Sequence, residues 1–240
     1  GLKKVPARVT CVKPSGNAAV NLGCASGVHP EHATRYLRRV QAPANSELVR
    51  AFADLNPDAV ESSVWSSSGD LCLTFAIEAP SHALTRDDVS ALDFLEWVKV
   101  VQLNWVKSGT VRAGSVENLN HNVSNTCTVR ANEWDDVKNA LLDGRDVFGG
   151  VSCLSASGDY DYPQAPFQAV YAPDEIDEND PKKTEKLEAW SLWNRLRETH
   201  IGVDFSSVFE DEDNTELMRE GACSGGQCEV GGEILNAARK

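Results

Sequence analysis

Between residues 122 and 154 the apolar period switches from two to about 3.6 and back, and this constrains the fold more than any other stretch. In "NVSNTCTVR" (122–130), Val123, Cys127 and Val129 share one face of an expected strand. Asn132 is placed to cap a helix in which Trp134, Val137 and Leu141 recur at i, i+3 and i+7. Gly144 follows its end. "FGGVSCL" (148–154) then reads as the next strand. Strand, helix and strand in about 30 residues imply parallel strands joined by a crossover. The fold class is α/β.

Other segments fit the same alternation. "ARVTCV" (7–12) is a short β-branched run ended by the turn signal Lys13-Pro14-Ser15-Gly16. "LCLTFAI" (71–77) is nearly continuously apolar, as a strand covered on both faces is. Thr85 and Asp88 have capping-box spacing, and Phe94, Val98, Val101 and Trp105 follow at i, i+4, i+7 and i+11, which predicts a helix. From Ala172 the character changes. "PDEIDENDPKKTEK" is charged and reads as a solvated connector, and "LEAWSLWNRLRE" (187–198) as a short amphipathic helix. "FEDEDNTELMREG" is acidic again. The expected organisation is a compact body over 1–171 and a region over 172–240 made of connector, helix and mobile tail.

Composition narrows the function classes. The 240 residues suffice for a real core, and the 41% hydrophobic and 25% charged fractions are those of an ordinary globular chain. A net charge of −13 argues against binding nucleic acid through charge alone. The one basic cluster, "RYLRR" (35–39), reads as a face of a strand or helix. No apolar run approaches the ~20 residues of a membrane span, and no signal core follows the two N-terminal lysines. A cytoplasmic protein without membrane contact is the expectation. Seven cysteines cannot all pair internally, and Cys11, Cys24, Cys72, Cys127 and Cys153 lie in apolar or strand-like contexts that suit reduced thiols.

Four stretches are candidates for chemistry. "KPSGNAAVN" (13–21) is a Gly-containing turn between a strand and an expected helix. By itself it is either an ordinary turn or a seat for an anion on outward-pointing N–H groups. "ASGVHPEH" (25–32) holds His29 and His32 without further ligand spacing, so a loop histidine before proline is the better reading and no metal site is expected. "YPQAPF" (162–167) reads as a rigid extended segment with no catalytic group. The last is Cys223-Ser-Gly-Gly-Gln-Cys228. Zinc wants about four ligands and no second pair is near. Incidental thiols are unusual in so glycine-rich a tail, and a dithiol that reversibly closes to a disulfide suits the Ser224–Gln227 loop best.

Taken together, "TCVKPSGNAAVNLGCASGVHP", "NHNVSNTCTVRANEWDDV", "GGVSCL", "YPQAPF" and "DFSSVFEDEDNTELMREGACSGGQCEV" resemble, in order, the C-terminal part of adenosylcobalamin-dependent (class II) ribonucleotide reductases. The resemblance covers nearly the whole chain apart from the final "GGEILNAARK". It implies the second half of a ten-stranded α/β barrel with a flexible C-terminal tail, and reduction of ribonucleotides by radical chemistry. Pro14, Ser15, Gly16, Asn17 and Ala18 then match the loop that binds substrate phosphates through backbone amides. Here Asn17, Ala18 and Ala19 stand where the family commonly has hydroxyl residues. Cys223 and Cys228 match the shuttle pair that re-reduces the active-site disulfide and is recharged by thioredoxin or a similar protein. The finger-loop segment of Asn-Pro-Cys-Gly-Glu type does not occur in this sequence, and no cysteine is followed by Gly-Glu. The implied partner is therefore an N-terminal half carrying that loop, with adenosylcobalamin in the assembled enzyme. The chain is expected to be a natural half-subunit or a fragment, inactive alone. A non-catalytic α/β binding module with incidental cysteines is the alternative. A stand-alone thiol oxidoreductase would show a Cys-x-x-Cys, which is absent.

Overall fold

The computed structural model describes residues 8–66, 69–109, 120–156 and 162–208. Contacts divide them into two interleaved units, one within Gly1–Glu31 and Pro80–Asp159, the other within His32–Ala79 and Tyr160–Lys240. The α/β class stands. The described strands form a four-stranded sheet and a two-stranded one, with no closed barrel among them. No helix among the described residues is long and apolar enough to cross a membrane.

The first unit holds α1 (Asn17–Leu22), α3 (Ala91–Val101), β4 (Thr126–Val129), α4 (Trp134–Asp143) and β5 (Ser152–Ser155). β4 and β5 pair in parallel, Cys127 opposite Cys153, with α4 between them in sequence. This is the strand-helix-strand unit that the alternating periods predict. Val123, Cys127 and Val129 are fully buried and meet Phe94, Leu95, Val98 and Val137 in one core. Burial pushes the Cys127 thiol up to about 12, so it stays protonated and behaves as a small apolar side chain. Of the first expected strand, the described residues keep single bridge residues at Arg8 and Val12, the latter paired in parallel with Val123.

α3 begins later than Thr85. The Thr85 and Asp88 pair closes a preceding turn, the Thr85 N–H donating to Asp88 Oδ2 at 2.8 Å. Ser90 is the true cap, its Oγ accepting the Asp93 N–H at 3.1 Å. A distant carboxylate completes the start: Glu133 Oε1 accepts the Ala91 N–H at 3.1 Å, and its Oε2 accepts the Arg130 N–H at 2.8 Å. After Val101 comes a single π-turn, Gln102–Val106. The extra residue moves Val106 into the core and leaves Trp105, expected inside, 55% exposed.

The second unit holds β1 (Arg35–Ala42), α2 (Glu47–Leu55), β2 (Val60–Ser62), β3 (Leu71–Glu78), β6 (Phe167–Ala169) and α5 (Lys183–Thr199). Its sheet runs β2-β3-β1-β6, and every neighbouring pair is antiparallel. α5 is five residues longer than the 187–198 pattern suggests and buries Ala189, Trp193 and Leu196 in the core that contains Leu37, Phe52 and Leu73. The connector before it is largely exposed, with Ile176 buried. The "RYLRR" arginines are arms of β1. Arg38 lies over the Phe167 ring at 4.3 Å and donates to the Pro166 carbonyl, while Arg39 donates to Gln168 Oε1 at 2.7 Å. They pin the "YPQAPF" segment, which Gln164 fastens from its other side. At φ 56°, its side chain donates to the Ser62 carbonyl and accepts the Val64 N–H.

Candidate functional site

Pro14, Ser15, Gly16, Asn17 and Ala18 form one continuous turn from Val12 into α1. Gly16 is the helix cap, at φ 54° and ψ −123°. That backbone form carries a positive φ and an extended ψ of the opposite sign, which only glycine adopts without strain. At the far end Gly23 closes α1 in the left-handed form, its N–H reaching the Ala19 and Val20 carbonyls.

The turn is held from behind by a residue that sequence reasoning missed. Ser26 Oγ accepts the Ser15 N–H at 2.9 Å and the Gly16 N–H at 3.2 Å. The Ala18 N–H donates to the Ser15 carbonyl at 3.2 Å. The serine hydroxyl thus takes two of the amides that an anionic oxygen would use. Gly27, at φ 63°, allows this approach, since a Cβ there would stand 3.1 Å from the Lys13 carbonyl oxygen. Nothing in a sequence marks a serine ten residues on as the partner of this turn.

His29 extends the brace to the sheet. Its Nδ1 lies 3.0 Å from the Ser26 carbonyl, and its Nε2 accepts the Thr126 N–H at 2.9 Å. This pattern assigns the neutral ring with its proton on Nδ1. The ring also lies against Phe94, 5.6 Å between centroids. Burial lowers the His29 pKa, opposed by the bond to Ser26. With the folded pKa below the unfolded value of about 6.5, the unfolded chain binds the proton more readily. Stability is then complete above about pH 6.5 and falls as the pH drops through that value toward the folded pKa. A denaturation series from pH 7.5 to 5.5 should show this loss, and His29→Gln should flatten it. An equal slope in the variant would remove His29 from the account.

Among the described residues no group of three or more His, Cys, Asp or Glu side chains is placed to hold a metal. A cavity of about 510 Å³ lies in the second unit, lined by Asn56, Asp58, Thr74, Phe75, Ile77 and His200 among others. Cys223 and Cys228 lie outside the described residues.

No family model and no curated protein matches the chain. Among solved structures, the crystal structure of a B12-dependent (class II) ribonucleotide reductase is similar, with a TM-score of 0.49 and 20% identity. The match covers 79% of this chain and 24% of that one, so the chain spans about a quarter of that protein's length, and no assignment rests on it.

Proposed function

We propose that this chain is the C-terminal part of a class II ribonucleotide reductase, a half-subunit or fragment that contributes the substrate-phosphate loop and the shuttle dithiol. The observation that carries the reading is the turn at 13–18. The residues that resemble the family's phosphate loop leave a β-bridge, pass through Gly16 at φ 54° and enter a helix, with the Ser15 and Gly16 N–H groups converging on one oxygen, that of Ser26. The order of the five motifs in the sequence supports it, as does the parallel β4–α4–β5 unit that a half-barrel repeats.

In this reading the partner polypeptide brings the finger loop, and the two halves close the barrel. The ribose 2′-hydroxyl leaves as water while two active-site thiols become a disulfide. Cys223 and Cys228 reduce that disulfide by exchange, becoming a disulfide themselves, and thioredoxin or a similar dithiol protein restores them. Adenosylcobalamin belongs to the assembled enzyme. Both ring nitrogens of His29 are engaged within the protein, so this histidine does not hold the cofactor.

Ser26 favours a second reading, a non-catalytic α/β module, because its hydroxyl already satisfies two amides of the turn. Nucleotide binding separates the two. Gly16→Val forces a β-branched residue into a positive φ and should weaken ribonucleotide binding by about tenfold or more while the β4–β5 core stays folded. Binding that is unchanged, or absent in the parent chain with its partner half present, would favour the module.

A further inference from the structure

A π-turn inserts one residue into a helix, and such turns are frequent at functional sites. Here the turn Gln102–Val106 is closed by the Lys107 N–H donating to the Gln102 carbonyl at 2.8 Å. What is attached to it gives it a role.

Two segments distant in sequence hang on this turn. Thr10 Oγ1 lies 2.8 Å from the Trp105 carbonyl and 3.3 Å from the Val106 carbonyl, donating to the first. The Val9 N–H donates to the Gly109 carbonyl at 3.1 Å, and the Trp105 indole N–H to the Cys11 carbonyl at 3.3 Å. On the inner side, the buried Gln102 amide donates to the His121 carbonyl at 2.9 Å and accepts the Val123 N–H at 3.2 Å. The two segments are then tied to each other, the Ser124 N–H donating to the Val12 carbonyl at 2.9 Å. Gly109 belongs to the same fitting, because a Cβ there would stand 1.7 Å from Thr10 Oγ1.

The extra residue makes this arrangement work. Gln102 and Val106 both face inward, while Trp105 turns out and reaches the strand at Cys11. An uninterrupted helix would carry Trp105 inward with Phe94 and Val98 and lose that bond. Val12 is followed directly by Lys13, where the candidate loop begins, so the turn sets the point from which the loop departs.

We propose that Thr10 and Gln102 are positioning residues for the phosphate loop, and that affinity for a nucleoside diphosphate depends on the π-turn through them. This rests on the phosphate-loop reading of residues 13–18. Neither side chain touches the nucleotide. Thr10 acts through the backbone of residues 9–12, and Gln102 through residues 121–124, where the Ser124 N–H reaches the Val12 carbonyl.

The test uses the full chain, isotope-labelled and mixed with its partner half, with ADP as the probe, in parent, Thr10→Val, Thr10→Ser and Gly109→Ala forms. Amide exchange of Ser15–Ala18 is read alongside ADP affinity, and exchange of the β4 amides reports whether the core is intact. Thr10→Val removes the hydroxyl and Gly109→Ala displaces it from outside. Each should speed loop exchange and weaken ADP binding by about tenfold, as loss of a hydrogen bond does, with β4 protection unchanged. Thr10→Ser restores the hydroxyl and should stay within about twofold of the parent. Loop exchange and affinity unchanged in Thr10→Val, or a serine variant no better than valine, would overturn the proposal. A parent chain that, with its partner half present, binds neither ADP nor ATP, yet whose loop exchange still depends on Thr10, would sink the phosphate reading alone and support the anchoring role.

Discussion

In the reductase proposed above, serine at either Cys223 or Cys228 is expected to leave the first turnover of the assembled enzyme intact and to stop later ones when thioredoxin is the only reductant. The active-site thiols start reduced, so one substrate is converted without the tail. Each further cycle needs a thiolate to attack the active-site disulfide and a second thiol to resolve the mixed disulfide. A lone cysteine can form that mixed disulfide but has no neighbour to release it. A small dithiol that diffuses to the active site bypasses the tail and should restore repeated turnover. Product counted per enzyme should fall to about one in either variant with thioredoxin and recover with the small dithiol. Undiminished multiple turnover with thioredoxin alone would remove the shuttle assignment.

The second large effect is on stability. Trp193 is 2% exposed at the centre of the second unit's core. Its indole N–H donates to the Ile77 carbonyl at 3.0 Å, its ring stacks on Trp190 at 5.7 Å between centroids, and Arg197 lies 4.4 Å above it. Trp193→Ala removes the largest fully buried side chain described and leaves a cavity, at a cost of about 3–5 kcal/mol. For a chain of this size that corresponds to roughly 10 °C in Tm. Trp193→Phe keeps most of the apolar volume and loses the bond to Ile77, so about 1–2 kcal/mol is expected. Denaturation followed by circular dichroism measures both. An alanine variant as stable as the parent would mean that α5 does not close this core.

How far the sequence discloses this structure depends on how local each signal is. The β4–α4–β5 unit is legible because its residues contact one another, and the switch of period records the buried face through Val123, Cys127, Val129 and Val137, although Trp134 of the same pattern is 43% exposed. Phe94 and Val98 are legible for the same reason. Trp105 is not, since one inserted residue in the π-turn shifts the inward position to Val106, and no local residue type announces the insertion. β1 was hidden by its own arginines. Their charged heads break the apolar alternation, and the partners that accept them, Pro166 and Gln168, come more than a hundred residues later. The all-antiparallel pairing of the second unit stayed hidden for that reason. At the candidate loop the glycine was legible and its brace was not: Ser26 and His29 act through bonds to Ser15, Gly16 and Thr126, the last 97 residues away.

Reconstitution separates a reductase half from a binding module. This chain is mixed with a polypeptide carrying the Asn-Pro-Cys-Gly-Glu loop, adenosylcobalamin, a ribonucleotide and a dithiol, and deoxyribonucleotide is measured. Product is expected when both polypeptides are present and none from either alone. No product from the complete mixture, with both polypeptides folded and associated, would contradict the reductase reading.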